Sequence, residues 1–96
     1  MPGYILSPRA QRSLTQISSY TLDNYGRGQQ KKYLSMLRDR MRKAAKEPQQ
    51  GRERPDIKSG YFSIQAGKHN IYYRITDARV EIIDVLHQSM EPRLRL

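Results

Sequence analysis

The chain has 96 residues, no cysteine, a hydrophobic fraction of 36% and a formal net charge of +9. The length and the hydrophobic fraction fit one domain over residues 1–96 with a modest core. The lack of cysteine excludes disulfides and thiolate zinc sites, and no apolar run approaches the roughly 20 residues of a membrane helix. The strongly basic balance favours polyanionic partners, namely nucleic acid, a nucleic-acid enzyme or an acidic protein.

Most of the positive charge lies in the middle of the chain. Residues 27–58 contain eleven Lys or Arg against four Asp or Glu, which accounts for +7 of the net charge of +9. The two histidines lie far apart in a chain without cysteine, so they predict no metal site, and no Gly-rich phosphate-binding motif occurs. We therefore expect neither a metal nor another cofactor.

The N-terminal part predicts a short strand followed by a helix. Tyr4–Leu6 is an apolar run typical of a strand. Ser7 and Pro8 are typical of a helix start, because serine caps the first turn and proline fits the first helical position. Gly26 is expected to end this helix. The apolar stripe between them consists of Ala10, Leu14, Ile17 and Thr21.

A second helix is predicted from about residue 28 to residue 45, and Pro48 ends it. Two helices joined by so short a link should pack as an antiparallel pair. The apolar face of the second helix comprises Tyr33, Leu34, Leu37, Met41, Ala44 and Ala45, and its opposite side carries Lys31, Ser35, Arg38, Arg42 and Lys46. We expect Tyr20, Tyr25 and Tyr33 in the core or at its edge, rather than as platforms for base stacking.

The next two strands form a predicted β-hairpin over residues 60–74. Gly67 and Lys68 make its two-residue loop, because glycine can take the positive φ of a tight turn. Alternation in the second strand places Tyr72 and Arg74 on one face, which we expect to be open. The residues expected to face the helices are Ile71, Tyr73 and Ile75.

A last strand is predicted over residues 80–86, after a turn at Asp77 and Ala78. Its alternation slips near Asp84, which indicates either a β-bulge or burial on both faces. Pro92 argues against a long terminal helix. The element order is β-α-α-β-β-β, which predicts an α+β fold with a helical hairpin packed on a small, mostly antiparallel sheet.

An ordered set of short signatures spans nearly the whole chain. It resembles the ParE toxins of bacterial type II toxin–antitoxin modules, within the RelE/ParE superfamily. The set comprises Tyr4–Ser7, Ala10, Leu14, Tyr20-Thr21, Tyr25-Gly26, Tyr33-Leu34, Leu37, Pro48, Gly51-Arg52, Ile57, Gly60-Tyr61, His69, Ile71–Ile75, Leu86-His87 and Met90.

The resemblance implies the same β-α-α-β-β-β fold in a cytoplasmic toxin of a bacterium or plasmid, with a role in plasmid stabilisation. It implies a cognate antitoxin whose disordered tail neutralises the toxin. ParE toxins inhibit DNA gyrase by trapping its cleaved-DNA state, without catalysis, so contact with DNA would be indirect and no membrane is involved. The RelE branch of the superfamily instead cleaves mRNA in the ribosome.

A ribosome-dependent endonuclease of the RelE type is the alternative. Arg74 matches the position of that branch's catalytic arginine, and His87 lies where it carries a terminal acid. A convincing general base is missing, because Glu53 and Glu81 fall in no recognisable motif, and Gln88 cannot transfer protons. A strand-end histidine bonded to the backbone is the simpler interpretation of His87. His69 is expected to be structural or exposed.

For a binding protein, the candidate contacts with the target or the antitoxin are Arg38, Arg42, Arg52, Arg54, Tyr72 and Arg74. An exposed aromatic beside an arginine is typical of binding surfaces, although Arg74 could equally pair with Glu81 across the sheet. The arginines of the second helix could form an ordinary solvated face, and Arg52 and Arg54 could lie in an ordinary polar connection. A third hypothesis is a basic nucleic-acid-binding module with salt-dependent affinity.

Overall fold

The computed structural model describes residues 3–77 and 79–96. Its elements are β1 (Tyr4–Leu6), α1 (Pro8–Lys46), a short 3-10 turn (Pro48–Gln50), β2 (Arg52–Glu53), β3 (Tyr61–Ala66), β4 (His69–Thr76), β5 (Arg79–His87) and a second 3-10 turn (Pro92–Leu94). The strands form one sheet in the order β1-β5-β4-β3-β2. Only the β1–β5 pair among these is parallel, so the predicted α+β fold on a mostly antiparallel sheet is confirmed.

The helical segment α1 is a hairpin of two arms. Gly26 has φ 87° and ψ 173°, which breaks the helix into a first arm, residues 8–25, and a second arm, residues 27–46. The Nε2 atom of Gln30 donates to the carbonyl oxygen of Ser18 at 3.2 Å and to its hydroxyl at 2.8 Å, so the second arm folds back along the first. A straight helix of this length would span roughly 58 Å, whereas the longest dimension of the molecule is 37 Å.

Local sequence signals start and stop these elements as expected. The Ser7 hydroxyl accepts a hydrogen bond from the Ala10 amide at 3.0 Å and donates one to the Ile83 carbonyl at 2.7 Å, which joins the helix start to the sheet. Gly67 has φ 60° in the β3–β4 turn. Ala78, in the predicted turn at residues 77–78, lies outside the described residues.

The core lies between the helical hairpin and one face of the sheet. Tyr73 is fully buried there, with its ring stacked on Phe62 at 5.4 Å between centroids. Its hydroxyl donates to the Pro48 carbonyl at 2.9 Å, which fixes the chain where the second arm ends. The buried members from the two layers include Ala10, Ile17, Leu37, Met41, Ala44, Ile71, Val80, Ile82 and Val85. Within the described residues, no helix has the length and apolarity to cross a membrane.

The register of β4 and β5 explains the slipped alternation. Tyr72 opposes Asp84 whereas Tyr73 opposes Ile82, so Ile83 is an extra residue in a β-bulge. Both predicted explanations hold, because the end of this strand is also buried on both faces, as shown by the adjacent residues Val85 and Leu86, which are 2% and 5% exposed. The carboxylate of Asp84 accepts hydrogen bonds from the Ser13 hydroxyl at 2.5 Å and from the Val85 amide at 2.8 Å.

Two expectations about the faces of β4 are wrong. Ile75 is 40% exposed rather than covered by the helices, because it lies next to the end of β4, past the buried Ile71 and Tyr73. Tyr72 is only 1% exposed, so the face that it shares with the half-exposed Arg74 is covered at Tyr72 rather than open along its length. The guanidinium of Arg54 lies 5.7 Å from the centroid of the Tyr72 ring, and Pro92 in the C-terminal turn is buried as well.

Candidate functional site

The second helical arm presents a basic surface to solvent. Arg38 and Arg42 are exposed on it, as expected. Arg42 forms a salt bridge with Asp39, 2.8 Å between Nη1 and Oδ1, but both side chains are more than 60% exposed. An ion pair so exposed is worth little. The surface therefore keeps a cationic character, with a shallow groove lined by Gly28, Gln29, Lys31, Lys32, Ser35 and Arg38.

Arg54 is fixed in place, whereas Arg52 is exposed in β2. Two nitrogens of Arg54 donate to the two carboxylate oxygens of Asp56, at 3.0 and 2.9 Å. This pairing holds the pKa of Asp56 below its usual value and raises that of Arg54. A further nitrogen of Arg54 lies 3.4 Å from the Ser63 hydroxyl. Arg54 therefore covers Tyr72 and orders the loop, and its side chain is only 16% exposed.

Arg74 has a partner on the neighbouring strand. Its Nε atom donates to Oε1 of Glu81 at 2.6 Å, and the two residues face each other in the β4–β5 ladder. The expected cross-strand pair is confirmed. The side chain of Arg74 remains 50% exposed, so it can still contact a partner, although Glu81 offsets much of its charge.

His87 and Arg74 do not share a site. His87 opposes His69 in the ladder, and Arg74 lies five residues farther along β4, or roughly 17 Å at about 3.4 Å per residue. The Nδ1 atom of His87 accepts the Ser89 amide hydrogen at 3.1 Å and contacts the Ser89 hydroxyl at 2.8 Å. His87 is therefore a strand-end histidine bonded to the backbone, in agreement with the simpler interpretation.

A cleft of about 730 Å³ lies between the helical hairpin and the β3–β4 turn. Tyr20 and Tyr25 form an edge-to-face pair in its wall, with centroids 6.5 Å apart, and are 60% and 62% exposed. The expectation that these two rings lie in or beside the core is wrong. The first arm buries the side that carries Ile17 and Thr21, which leaves both rings in solvent near its end. The lining residues are Gln16, Ile17, Tyr20, Thr21, Tyr25, Gln29, Tyr33, Gly67, Lys68, His69 and His87.

One end of this cleft is a cluster of three rings, in which Tyr33 is hydrogen-bonded to His69 and the ring of His87 packs edge-to-face on that of His69. The Tyr33 hydroxyl accepts the Lys68 amide hydrogen at 3.0 Å and lies 2.6 Å from Nδ1 of His69. Since the hydroxyl hydrogen is free to donate, we assign Nδ1 of His69 as its acceptor, which requires a neutral ring. Burial, and then the nearby His87, lower the pKa of His69 and favour that state. Burial also raises the pKa of Tyr33.

The cluster depends on the close approach of the Gly67 backbone to the side chains of Tyr33 and Met36. A Cβ atom there would stand 2.8 Å from the Tyr33 ring and 2.9 Å from the terminal methyl of Met36. Sequence reasoning missed the cluster because His69 and His87 are distant in the chain. Only the strand register places their ring centroids 5.4 Å apart.

Among the described residues, no group of three His, Cys, Asp or Glu side chains could hold a metal ion. The cleft instead presents aromatic rings and the neutral imidazole of His69, and the basic surface presents cations. These groups suit the binding of an anionic or aromatic partner.

Comparisons with known proteins agree with the fold. The family described as ParE toxin of type II toxin–antitoxin system, parDE, matches residues 4–92. Toxin ParE1 of Mycobacterium tuberculosis is 38% identical over 89 residues, which cover 92% of this chain and 91% of that protein. Toxin ParE1 of Caulobacter vibrioides is 36% identical over 96 residues, which cover 100% and 99%. The chain belongs to the ParE toxin family of type II toxin–antitoxin systems.

A solved structure of the same architecture is titled "Chromosomal ParDE TA system from P. aeruginosa". It superposes with a TM-score of 0.78 at 15% identity, and the match covers 91% of this chain and 96% of that chain. At this identity the likeness concerns the fold alone. It agrees with a helical hairpin packed on a five-stranded sheet.

Proposed function

We propose that this toxin inhibits DNA gyrase by binding, without catalysis of its own, and that a cognate antitoxin neutralises it in the bacterial cytoplasm. The observation that carries the proposal is the separation of Arg74 and His87 by roughly 17 Å along β4. General acid–base catalysis needs its groups within hydrogen-bonding reach of one reacting phosphate. Arg74 is also paired with Glu81 at 2.6 Å. A RelE-type use of these two residues is therefore disfavoured.

The proposed contacts with the target are the exposed arginines. Arg38 and Arg42 lie on the second helical arm and Arg52 lies in β2, all in solvent, and Arg74 is half-exposed. Cations of this kind suit gyrase engaged with DNA, because the complex presents a large negative field. Tyr72 is buried and does not touch the target in this proposal. Arg54 holds the loop that covers Tyr72, so it supports the surface without contacting the target itself.

The proposed antitoxin is acidic, because the chain carries a formal net charge of +9 to be neutralised. Its docking would compete with the target for the exposed arginines. Added antitoxin should therefore relieve inhibition in proportion to its occupancy. A short acidic reading frame immediately beside the gene for this chain would support this partner.

One experiment tests the function directly. Purified protein is added to a gyrase supercoiling and DNA-cleavage reaction, and separately to ribosomes translating a defined mRNA. We expect loss of supercoiling, accumulation of cleaved DNA and intact mRNA. Intact supercoiling together with cleaved mRNA would reject the gyrase proposal and favour the nuclease.

A matched pair of triple variants locates the contacts. Arg38→Gln/Arg42→Gln/Arg52→Gln should weaken inhibition roughly ten-fold, on the basis of about 0.5 kcal/mol for each exposed charge. The control Arg12→Gln/Lys58→Gln/Arg79→Gln makes the same change in net charge at other exposed positions. An equal loss in the control would show that overall charge, rather than this surface, drives binding.

A further inference from the structure

The aromatic cleft continues into the basic groove of the second arm. Gln29 lines both, so the two form one surface, which we call the Tyr-Lys channel. One end of the channel carries the exposed rings of Tyr20 and Tyr25. The other carries cations at the groove, and the cationic residues there are Lys31, Lys32 and Arg38.

The two exposed rings are unusual for this chain. Tyr72 and Tyr73 are almost fully buried, whereas Tyr20 and Tyr25 expose more than half of their area. Their edge-to-face contact leaves ring surface open to the cleft, beside the apolar side chain of Ile17. Aromatic rings of this kind bind unstacked bases, and each stacked base typically strengthens binding about ten-fold.

The cations lie at a suitable distance for a nucleic-acid backbone. Lys31 and Arg38 are seven residues apart on the second arm, or roughly 10 Å along its axis, and both are exposed. Salt bridges are absent at Lys31, Lys32 and Arg38 within the part of the chain that the structure describes. The groove can therefore contact more than one phosphate.

We propose that the Tyr-Lys channel binds single-stranded DNA, with unstacked bases on Tyr20 and Tyr25 and phosphates along the second arm. Rings beside a row of cations complement a single strand, whose bases and phosphates are both accessible. A duplex keeps its bases stacked and would use the cations alone. Gln16, Thr21 and Gln29 contribute polar groups to the cleft, but most of its lining surface is apolar. Few partners are therefore available to a 2′-hydroxyl, which favours DNA over RNA.

This proposal is independent of the action on gyrase. It concerns affinity for an oligonucleotide in the absence of any topoisomerase, so either proposal can fail while the other stands. The channel also excludes Arg42, Arg52 and Arg74, three of the four contacts proposed for the target.

The test is fluorescence anisotropy with a labelled 20-nucleotide oligo(dT) and the full chain. We expect the labelled oligo(dT) to bind saturably and unlabelled oligo(dT) to displace it. The matching duplex and oligo(U) should each displace it at least ten-fold less effectively. Equal or better displacement by the duplex would overturn the single-strand assignment. Equal or better displacement by oligo(U) would overturn the assignment to DNA.

Variants of the rings separate base stacking from the docking of an apolar peptide. Tyr20→Leu/Tyr25→Leu keeps apolar bulk but removes the rings, and should weaken oligo(dT) binding about ten-fold or more. Tyr20→Phe/Tyr25→Phe keeps the rings and should retain affinity within about three-fold. Full affinity for oligo(dT) in the leucine variant would refute stacking. Stacking would also be refuted if a Glu-rich amphipathic peptide displaced oligo(dT) from the parent protein and bound the leucine variant as tightly as the parent, because the cleft would then accept apolar side chains without the rings. Circular dichroism melts verify that each variant is folded.

Variants of the cations test the phosphate contacts. Lys31→Gln/Lys32→Gln should reduce the slope of log K against log salt by about 1.4, at ~0.7 for each phosphate contact with a single strand. Lys46→Gln/Lys58→Gln makes the same charge change at exposed positions outside the channel. Equal slopes in the two variants would overturn the placement of the backbone along the groove.

Discussion

Replacing Gly51 with alanine should destabilise the fold through a single buried contact. The backbone of Gly51, with φ −68° and ψ 163°, is accessible to any residue, so the change adds no backbone strain. The new Cβ would stand 1.9 Å from the hydroxyl oxygen of Tyr73 and 2.8 Å from Cζ of its ring. Tyr73 has no room to retreat, because it is 0% exposed and its ring is stacked on Phe62.

The expected cost follows from two effects. Forcing the ring or the backbone to shift costs about 1–3 kcal/mol, as other overpacked sites do. Displacing the hydroxyl also breaks its 2.9 Å hydrogen bond to the Pro48 carbonyl, which adds about 1–2 kcal/mol. We therefore expect a loss of about 2–5 kcal/mol, a large fraction of the roughly 5–14 kcal/mol typical of a chain this long.

The assay is urea unfolding at 25 °C followed by circular dichroism. The matched control is Gly28→Ala, where a Cβ meets nothing within 4 Å in the second helical arm. That change should stabilise the protein by about 0.5–1 kcal/mol, because alanine is the better helix former. Combining Gly51→Ala with Tyr73→Phe removes the nearest clashing atom and should cost less than the sum of the single changes. A Gly51→Ala variant within about 0.5 kcal/mol of the parent would refute the reasoning.

Two further predictions concern the break in the helix and the histidine cluster. Gly26→Ala should lower the free energy of unfolding by about 1–3 kcal/mol, because φ 87° with ψ 173° is nearly restricted to glycine. An unchanged urea midpoint would contradict this. His69 has a folded-state pKa below its ordinary value of about 6.5. As the pH falls, the unfolded chain therefore takes up a proton at His69 before the folded protein does. Stability should therefore be full above about pH 6.5 and decrease as the pH falls below it. His69→Asn should flatten that decrease in urea titrations between pH 7.5 and 5, and an unchanged slope would show that another group is responsible.

Local chemistry in the sequence was sufficient for several of the boundaries between elements. Ser7 and Pro8 predicted the helix start, Gly26 predicted the break between the arms, and Gly67 predicted the β3–β4 turn. Each prediction succeeded because it depended on the φ, ψ and hydrogen-bonding preferences of one or two adjacent residues. Alternation along β4 also placed Ile71 and Tyr73 correctly in the core, since the period of a strand fixes which side chains share a face.

Tertiary structure decided which of those faces are accessible. Alternation separates Tyr72 from Tyr73 but cannot tell that Arg54 and its loop cover Tyr72. Helical spacing placed Tyr20 near the apolar stripe but cannot tell that the ring lies in solvent beside Tyr25. In both cases exposure depends on elements distant in sequence.

The sequence by itself determined the basic character of the protein and the order of its helices and longer strands, because charge and local propensity are properties of short stretches. It missed the two-residue strand β2, which is defined by its pairing with β3. Only the tertiary structure paired His69 with His87 and separated His87 from Arg74. Those relations follow from the β4–β5 register, which the bulge at Ile83 shifts by one residue. The physical reason is that a strand's own pattern fixes which residues share a face, whereas its position along a neighbouring strand depends on packing across the whole sheet.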